Sequence, residues 1–166
     1  MAAPRRRLAP ALIVVGALAL GACGSGGSGA HASNGFHDLV AQPTAPGGGG
    51  CPDGALRGAD HHCYRVAAAG VGTDAVETAQ PGTGTGGANV SLVFTSSGIT
   101  RFNDLAAQCV ARGKACPVGR VALVVDDEVV AAPLISTPAL AQAGVTISGA
   151  LTSAEARRVA RALTAN

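Results

Sequence analysis

Asn89-Val90-Ser91-Leu92-Val93-Phe94 opens the stretch that decides the fold. Val90, Leu92 and Phe94 alternate along it, which is the period of a half-buried strand. Ser96 and Ser97 follow as N-cap candidates. Ile99, Phe102, Leu105, Ala106 and Cys109 then recur at helical spacing, with Arg101, Asp104 and Arg112 outside, and the helix is expected to stop near Gly113. Arg120 to Val125 and Glu128 to Ile135 are two apolar, valine-rich runs separated by Asp126-Asp127, the pattern of a tight hairpin. Val145 to Ser148 supplies a further strand. Thr152 with Glu155 makes a capping box, after which Ala156, Val159, Ala160 and Leu163 form one apolar stripe, clear of Arg157, Arg158 and Arg161.

Upstream of this stretch, Cys63 to Ala69 reads as a first strand ended by Gly70 and Gly72. A short segment from Thr73 to Thr78 and a mobile loop from Pro81 to Gly87 follow. The order of elements predicts an α+β class, an antiparallel sheet with two helices packed on one face, and excludes a Rossmann layout. With 166 residues there is room for one ordinary domain, which excludes a two-domain enzyme. The only aromatics are three phenylalanines and one tyrosine, so the core must be built from many small contacts and modest stability is expected.

Arg5, Arg6 and Arg7 precede an apolar run from Leu8 to Leu20 and the small residues Gly21 and Ala22, the three parts of a secretory signal peptide over residues 1–22. The run is shorter than the roughly 20 apolar residues of a spanning helix. Removing those three arginines from 12 basic residues leaves 9 against 10 acidic ones, so the net positive charge belongs to the leader and no nucleic-acid partner is expected. The leader resembles that of bacterial lipoproteins, whose lipobox ends in the cysteine that takes the lipid. Here that residue is Cys23, preceded by Leu20-Gly21-Ala22. Ordinary cleavage beside an unmodified Cys23 is the alternative. Residues 24–29 are Gly and Ser only, and no periodicity is evident as far as Gly50, so residues 23–50 are expected to be a flexible tether in which the patch Phe36, Leu39, Val40 stays unburied. The folded body is expected over residues 51–166.

Four cysteines fall in that body. An even number in an exported chain argues for two disulfides, and sequence proximity favours Cys51 with Cys63 and Cys109 with Cys116 among three connectivities. A metal site at His61, His62 and Cys63 is the competing reading, weakened by the lack of a C-x-x-C spacing. Asp60, His61 and His62 read more simply as a solvated turn.

The residues from Asn89 to Leu163 resemble the head subdomain of the first periplasmic domain of the SecD and SecDF protein-export family. The matching motifs are Val90-Ser91-Leu92, Ser97-Gly98, Phe102 with Leu105, Val121 to Asp126, Val129-Val130-Ala131-Ala132-Pro133, Ile147-Ser148-Gly149, and Thr152-Ser153-Ala154-Glu155-Ala156. Two departures stand out: Asp126-Asp127 replaces the usual Asp-Gly turn, and the loop from Arg112 to Val118 with its cysteine is longer. Counterparts of the family's transmembrane helices and base subdomain are not found in the sequence, so the resemblance implies contact with a translocating or partly folded polypeptide, not pumping.

Catalytic readings find little support. Gly24 to Gly29 and Gly82 to Gly87 satisfy G-x-G-x-x-G, but neither follows a strand and opens a helix. Asp126, Asp127 and Glu128 fit a charged hairpin tip better than an acid pair, no G-x-S-x-G occurs, and Asn89-Val90-Ser91 is a glycosylation pattern at a strand start. The sequence therefore points to a non-catalytic lipoprotein, held by its lipid at the extracytoplasmic face of the cell membrane and needing no cofactor. Its expected partners are exported or partly folded polypeptides and translocon components. Val129, Val130, Ala132, Pro133 and Ile135 are the candidate contacts, bordering a groove for strand addition, with Pro133 also serving as the end of an edge strand. A structural or ligand-binding envelope lipoprotein unrelated to export is the alternative.

Overall fold

The computed structural model describes residues 31–139 and 144–165. Residues 1–30, with the expected signal peptide and Cys23, lie outside them. Nine strands and two helices are described: β1 (Gly35–Leu39), β2 (Leu56–Gly58), β3 (Cys63–Tyr64), β4 (Val66–Gly72), β5 (Val76–Gly84), β6 (Gly87–Phe94), α1 (Ser96–Val110), β7 (Val121–Val125), β8 (Glu128–Ala131), β9 (Gly144–Leu151) and α2 (Ser153–Thr164).

The α+β class holds, and the sheet divides in two. Six strands run in the order β3-β2-β8-β7-β1-β4 and three in the order β5-β6-β9. All pairings are antiparallel except β2 with β8. Both helices and both sheets share one core, where Phe36, Phe94 and Phe102 meet with ring centroids 5.0 to 5.8 Å apart. A second cluster, Leu39, Leu56, Tyr64, Ala122, Val124 and Val129, covers the opposite face of the six-stranded sheet. Alternation along β7 serves both clusters, so all five of its residues are buried.

The tether expected over residues 23–50 does not extend through residues 35–39. That segment is β1, paired with β4 on one side and β7 on the other, with Phe36 and Leu39 buried. It also buries His37, whose two ring nitrogens each lie 2.8 Å from a carbonyl oxygen, of Ala67 and of Ser33. The expected mobile loop from Pro81 to Gly87 is a second correction, because these residues form the tip of the β5–β6 hairpin, with Gly84 opposite Gly87. Pro81 is tolerated there because β5 is an edge strand that needs no N–H on its outer side.

Helix α1 starts one residue earlier than expected. Thr95 is its N-cap and accepts a hydrogen bond from the Gly98 amide. Gly98 is there because a Cβ would collide with the Ala75 carbonyl oxygen, so its absence lets α1 lie close to the turn before β5. The capping box of α2 is present in full, and its apolar stripe Ala156, Val159, Ala160 and Leu163 is buried.

Both hairpin residues Asp126 and Asp127 have positive φ, 51° and 61°, as a two-residue I′ turn requires. Glycine would adopt this more cheaply, but aspartate supplies a carboxylate. The Asp127 side chain accepts a hydrogen bond from the Ala32 amide and pairs with His31, while the Asp126 amide donates to Asn34. The chain entering β1 is thereby pinned to the β7–β8 tip.

Candidate functional site

Two sheet edges face each other across a cleft. Beyond β8 the chain continues beside β7: the Val121 amide donates to the Pro133 carbonyl, and the Ile135 amide donates to the Gly119 carbonyl. In this arrangement Arg120 and Leu134 are a pair without mutual bonds, so the N–H and C=O of Leu134 point away from β7. Across the gap, β9 is the last strand of its sheet, and among the described residues nothing pairs with its outer side.

The cleft between them is about 460 Å³ and mostly apolar. Ala132, Pro133, Leu134 and Ile135 form one wall, Val145 to Ser148 the other, and Phe36, Phe102, Val121 and Leu123 the floor. Leu134 is 52% exposed, the most open of the large apolar side chains among the described residues. Of the five groove candidates read from the sequence, Ala132, Pro133 and Ile135 line this cleft, and Val130 lines an adjoining cavity. Val129 does not belong with them. Alternation along β8 turns it to the other face of the sheet, where it is buried with Leu56 and Tyr64. The β9 wall was missed because nothing in Val145 to Ser148 itself reveals which strand ends a sheet.

The two disulfides join Cys51 with Cys63 and Cys109 with Cys116. The first closes the segment that carries β2 and β3. The second pins the end of α1 to the turn before β7. Cys63 is thus taken by Cys51, which removes the thiolate that a metal site with His61 and His62 would need. Asp38, Cys109 and Cys116 bring ligand-type atoms within 4.8 Å of one another, but the two sulfurs are bonded to each other and offer no thiolate either. Asp38 Oδ1 lies 3.3 Å from Cys109 Sγ, and burial pushes the Asp38 carboxyl above its ordinary range, opposed in part by His37.

Two carboxylates, Asp60 and Glu155, line the adjoining cavity. Burial raises the Asp60 carboxyl, but the Tyr64 hydroxyl, donating at 2.6 Å, and the His62 amide outweigh it and hold Asp60 below the usual range. Burial and the same bond push Tyr64 up to about 12. Glu155 is held low by the Thr152 amide and hydroxyl of the capping box.

Fold and cleft together define a small α+β module in which an apolar gap separates the edges of two sheets. A family model described as the SecDF P1 head subdomain matches residues 56–166, and the chain belongs to that family. Two solved structures share the fold. "Crystal structure of SecDF in Super-membrane-facing form" aligns with a TM-score of 0.57 and 21% identity over 82% of this chain. "Structure and function of a membrane component SecDF that enhances protein export" aligns with a TM-score of 0.52 and 17% identity over 80% of this chain. The chain spans only 19% and 63% of the length of those two proteins. Comparison with curated protein sequences gives no match. Among the described residues, no helix is long and apolar enough to cross a membrane.

Proposed function

We propose that this chain is an exported lipoprotein, anchored through lipid on Cys23 at the extracytoplasmic face of the membrane, whose head binds extended polypeptide segments non-covalently as an accessory to protein export. The observation that carries this reading is the apolar cleft between the outer side of β9 and the residues after β8, a gap flanked by backbone groups that a guest strand would satisfy. Kinship with SecDF heads supports the link to export. The leader with Cys23 supports the anchor, and the lack of net positive charge after residue 22 argues against nucleic acid as a partner.

Site-specific photo-crosslinking tests the client. A crosslinker at Leu134 or Thr146 is expected to capture exported chains that still carry their leaders, and one at Gln108 on the exposed side of α1 is not. Equal capture from all three positions, or none, contradicts the reading and favours an envelope lipoprotein without a role in export. A mass measurement of the membrane-extracted protein tests the anchor. Acyl chains on Cys23 are expected, and an unmodified Cys23 contradicts it.

A further inference from the structure

The apolar cleft does not end where its apolar lining ends. A second cavity of about 290 Å³ shares Ala131, Ile147 and Ser148 with it and adds Asp60, Leu151 and Glu155. The two adjoining cavities together have an apolar end at Ile135 and Val145 and an acidic end at Asp60 and Glu155. Of the basic groups nearby, Arg158 is already answered by Glu128 at 2.6 Å, and the half-exposed His62 ring lies 3.3 Å from Asp60. Glu155 lines this cavity, and its Oε2 accepts both capping bonds from Thr152.

Polarity follows from the strands. Along β9 the chain runs from the apolar end at Val145 to the acidic end at Leu151. The opposite wall offers a poorer template, since the Ala132 carbonyl already accepts a hydrogen bond from the Arg120 guanidinium at 2.7 Å. A guest therefore pairs best with β9, and antiparallel, as every other pair in that sheet is. Its N-terminal end then lies at Asp60 and Glu155.

We propose that the groove selects extended segments in which a lysine or arginine precedes the apolar residues, a refinement that rests on the groove reading above. A neutral apolar segment leaves the acidic end facing water. A leading cation meets two carboxylates in a half-open cavity, where one ion pair is worth about a fivefold gain in affinity.

Fluorescence anisotropy with the purified full chain tests this using four labelled peptides of the type Lys-Val-Ser-Val-Thr-Val-Ser-Val. One has lysine first, one has lysine last, and two replace the lysine by glutamine or glutamate. The lysine-first peptide is expected to bind about fivefold more tightly than the glutamine peptide, with the glutamate peptide weakest. The variant Asp60→Asn/Glu155→Gln is expected to level the series, and Glu155→Gln alone to reduce it, since glutamine keeps the capping box. Equal binding of all four peptides overturns the charge selection and leaves the groove reading standing. A preference for lysine last overturns the assigned polarity. No binding by any peptide overturns the groove reading and this inference with it.

Discussion

On one face of the six-stranded sheet, Phe36, Val121, Leu123 and Val125 meet both helices and the second sheet. On the other, Leu39, Ala122, Val124 and Val129 meet Leu56 and Tyr64, which belong to short strands in an otherwise irregular segment closed by Cys51–Cys63. The first face is covered by long regular elements that bring their own backbone bonds. The second is closed by side chains from the sheet's own short end strands β2 and β3, and the ordering entropy of the segment that carries them has to be met by a crosslink and a handful of contacts. Stability in this molecule is therefore expected to be unequal across a single sheet.

The largest expected effect breaks the first face. Phe102 lies 5.1 Å from Phe36 and 5.0 Å from Phe94 between ring centroids, and Phe102→Ala is expected to cost about 3–5 kcal/mol in denaturant unfolding. Leu56→Ala on the second face is expected to cost about 2 kcal/mol, at the low end for a buried leucine. A larger loss at Leu56 would reverse the comparison. Next comes the crosslink. Replacing Cys51 and Cys63 by serine is expected to cost about 3 kcal/mol, against about 2.5 kcal/mol for the shorter loop of Cys109 and Cys116. Amide hydrogen exchange sharpens the contrast, since only the first pair of substitutions should expose residues 40–65.

Between the faces, β1 carries the smallest effect. Burial raises the Asp38 carboxyl in the folded state, so its contribution is fully present below the ordinary aspartate range and is lost as pH rises through the higher folded value. At neutral pH the ionised group is a burden. Asp38→Asn is expected to raise the thermal midpoint slightly at pH 7, and the gain should vanish below about pH 4, where aspartate is neutral in both states. A gain that persists there would mean that the substitution acts by packing, not charge.

What could be read from the sequence was local. The stripe Phe102, Leu105, Ala106 and Cys109, the Thr152–Glu155 box and the Asp126-Asp127 turn each announce themselves within a dozen residues, and each is found where expected. β1 could not be read this way. Gly35–Leu39 is flanked by small and polar residues, and it is a strand only because β4 and β7, about 30 and 85 residues away, pair with its two sides. Exposed threonines and glycines hid the β5–β6 tip in the same manner. For the groove, alternation from Val129 onward was visible, but which parity faces the cleft depends on which sheet face carries the second cluster. The apolar run was therefore found with Val129 wrongly included, and the β9 wall was not found at all.

The central claim is that a guest segment joins the outer side of β9. Amide hydrogen exchange of the full chain, resolved by residue and compared with and without an apolar peptide, tests this most directly. Slowed exchange at Leu134 and at alternate amides of residues 144–148, with α1 unchanged, is the expected result. Protection confined to other surfaces, or none in β9 at saturating peptide, would contradict it.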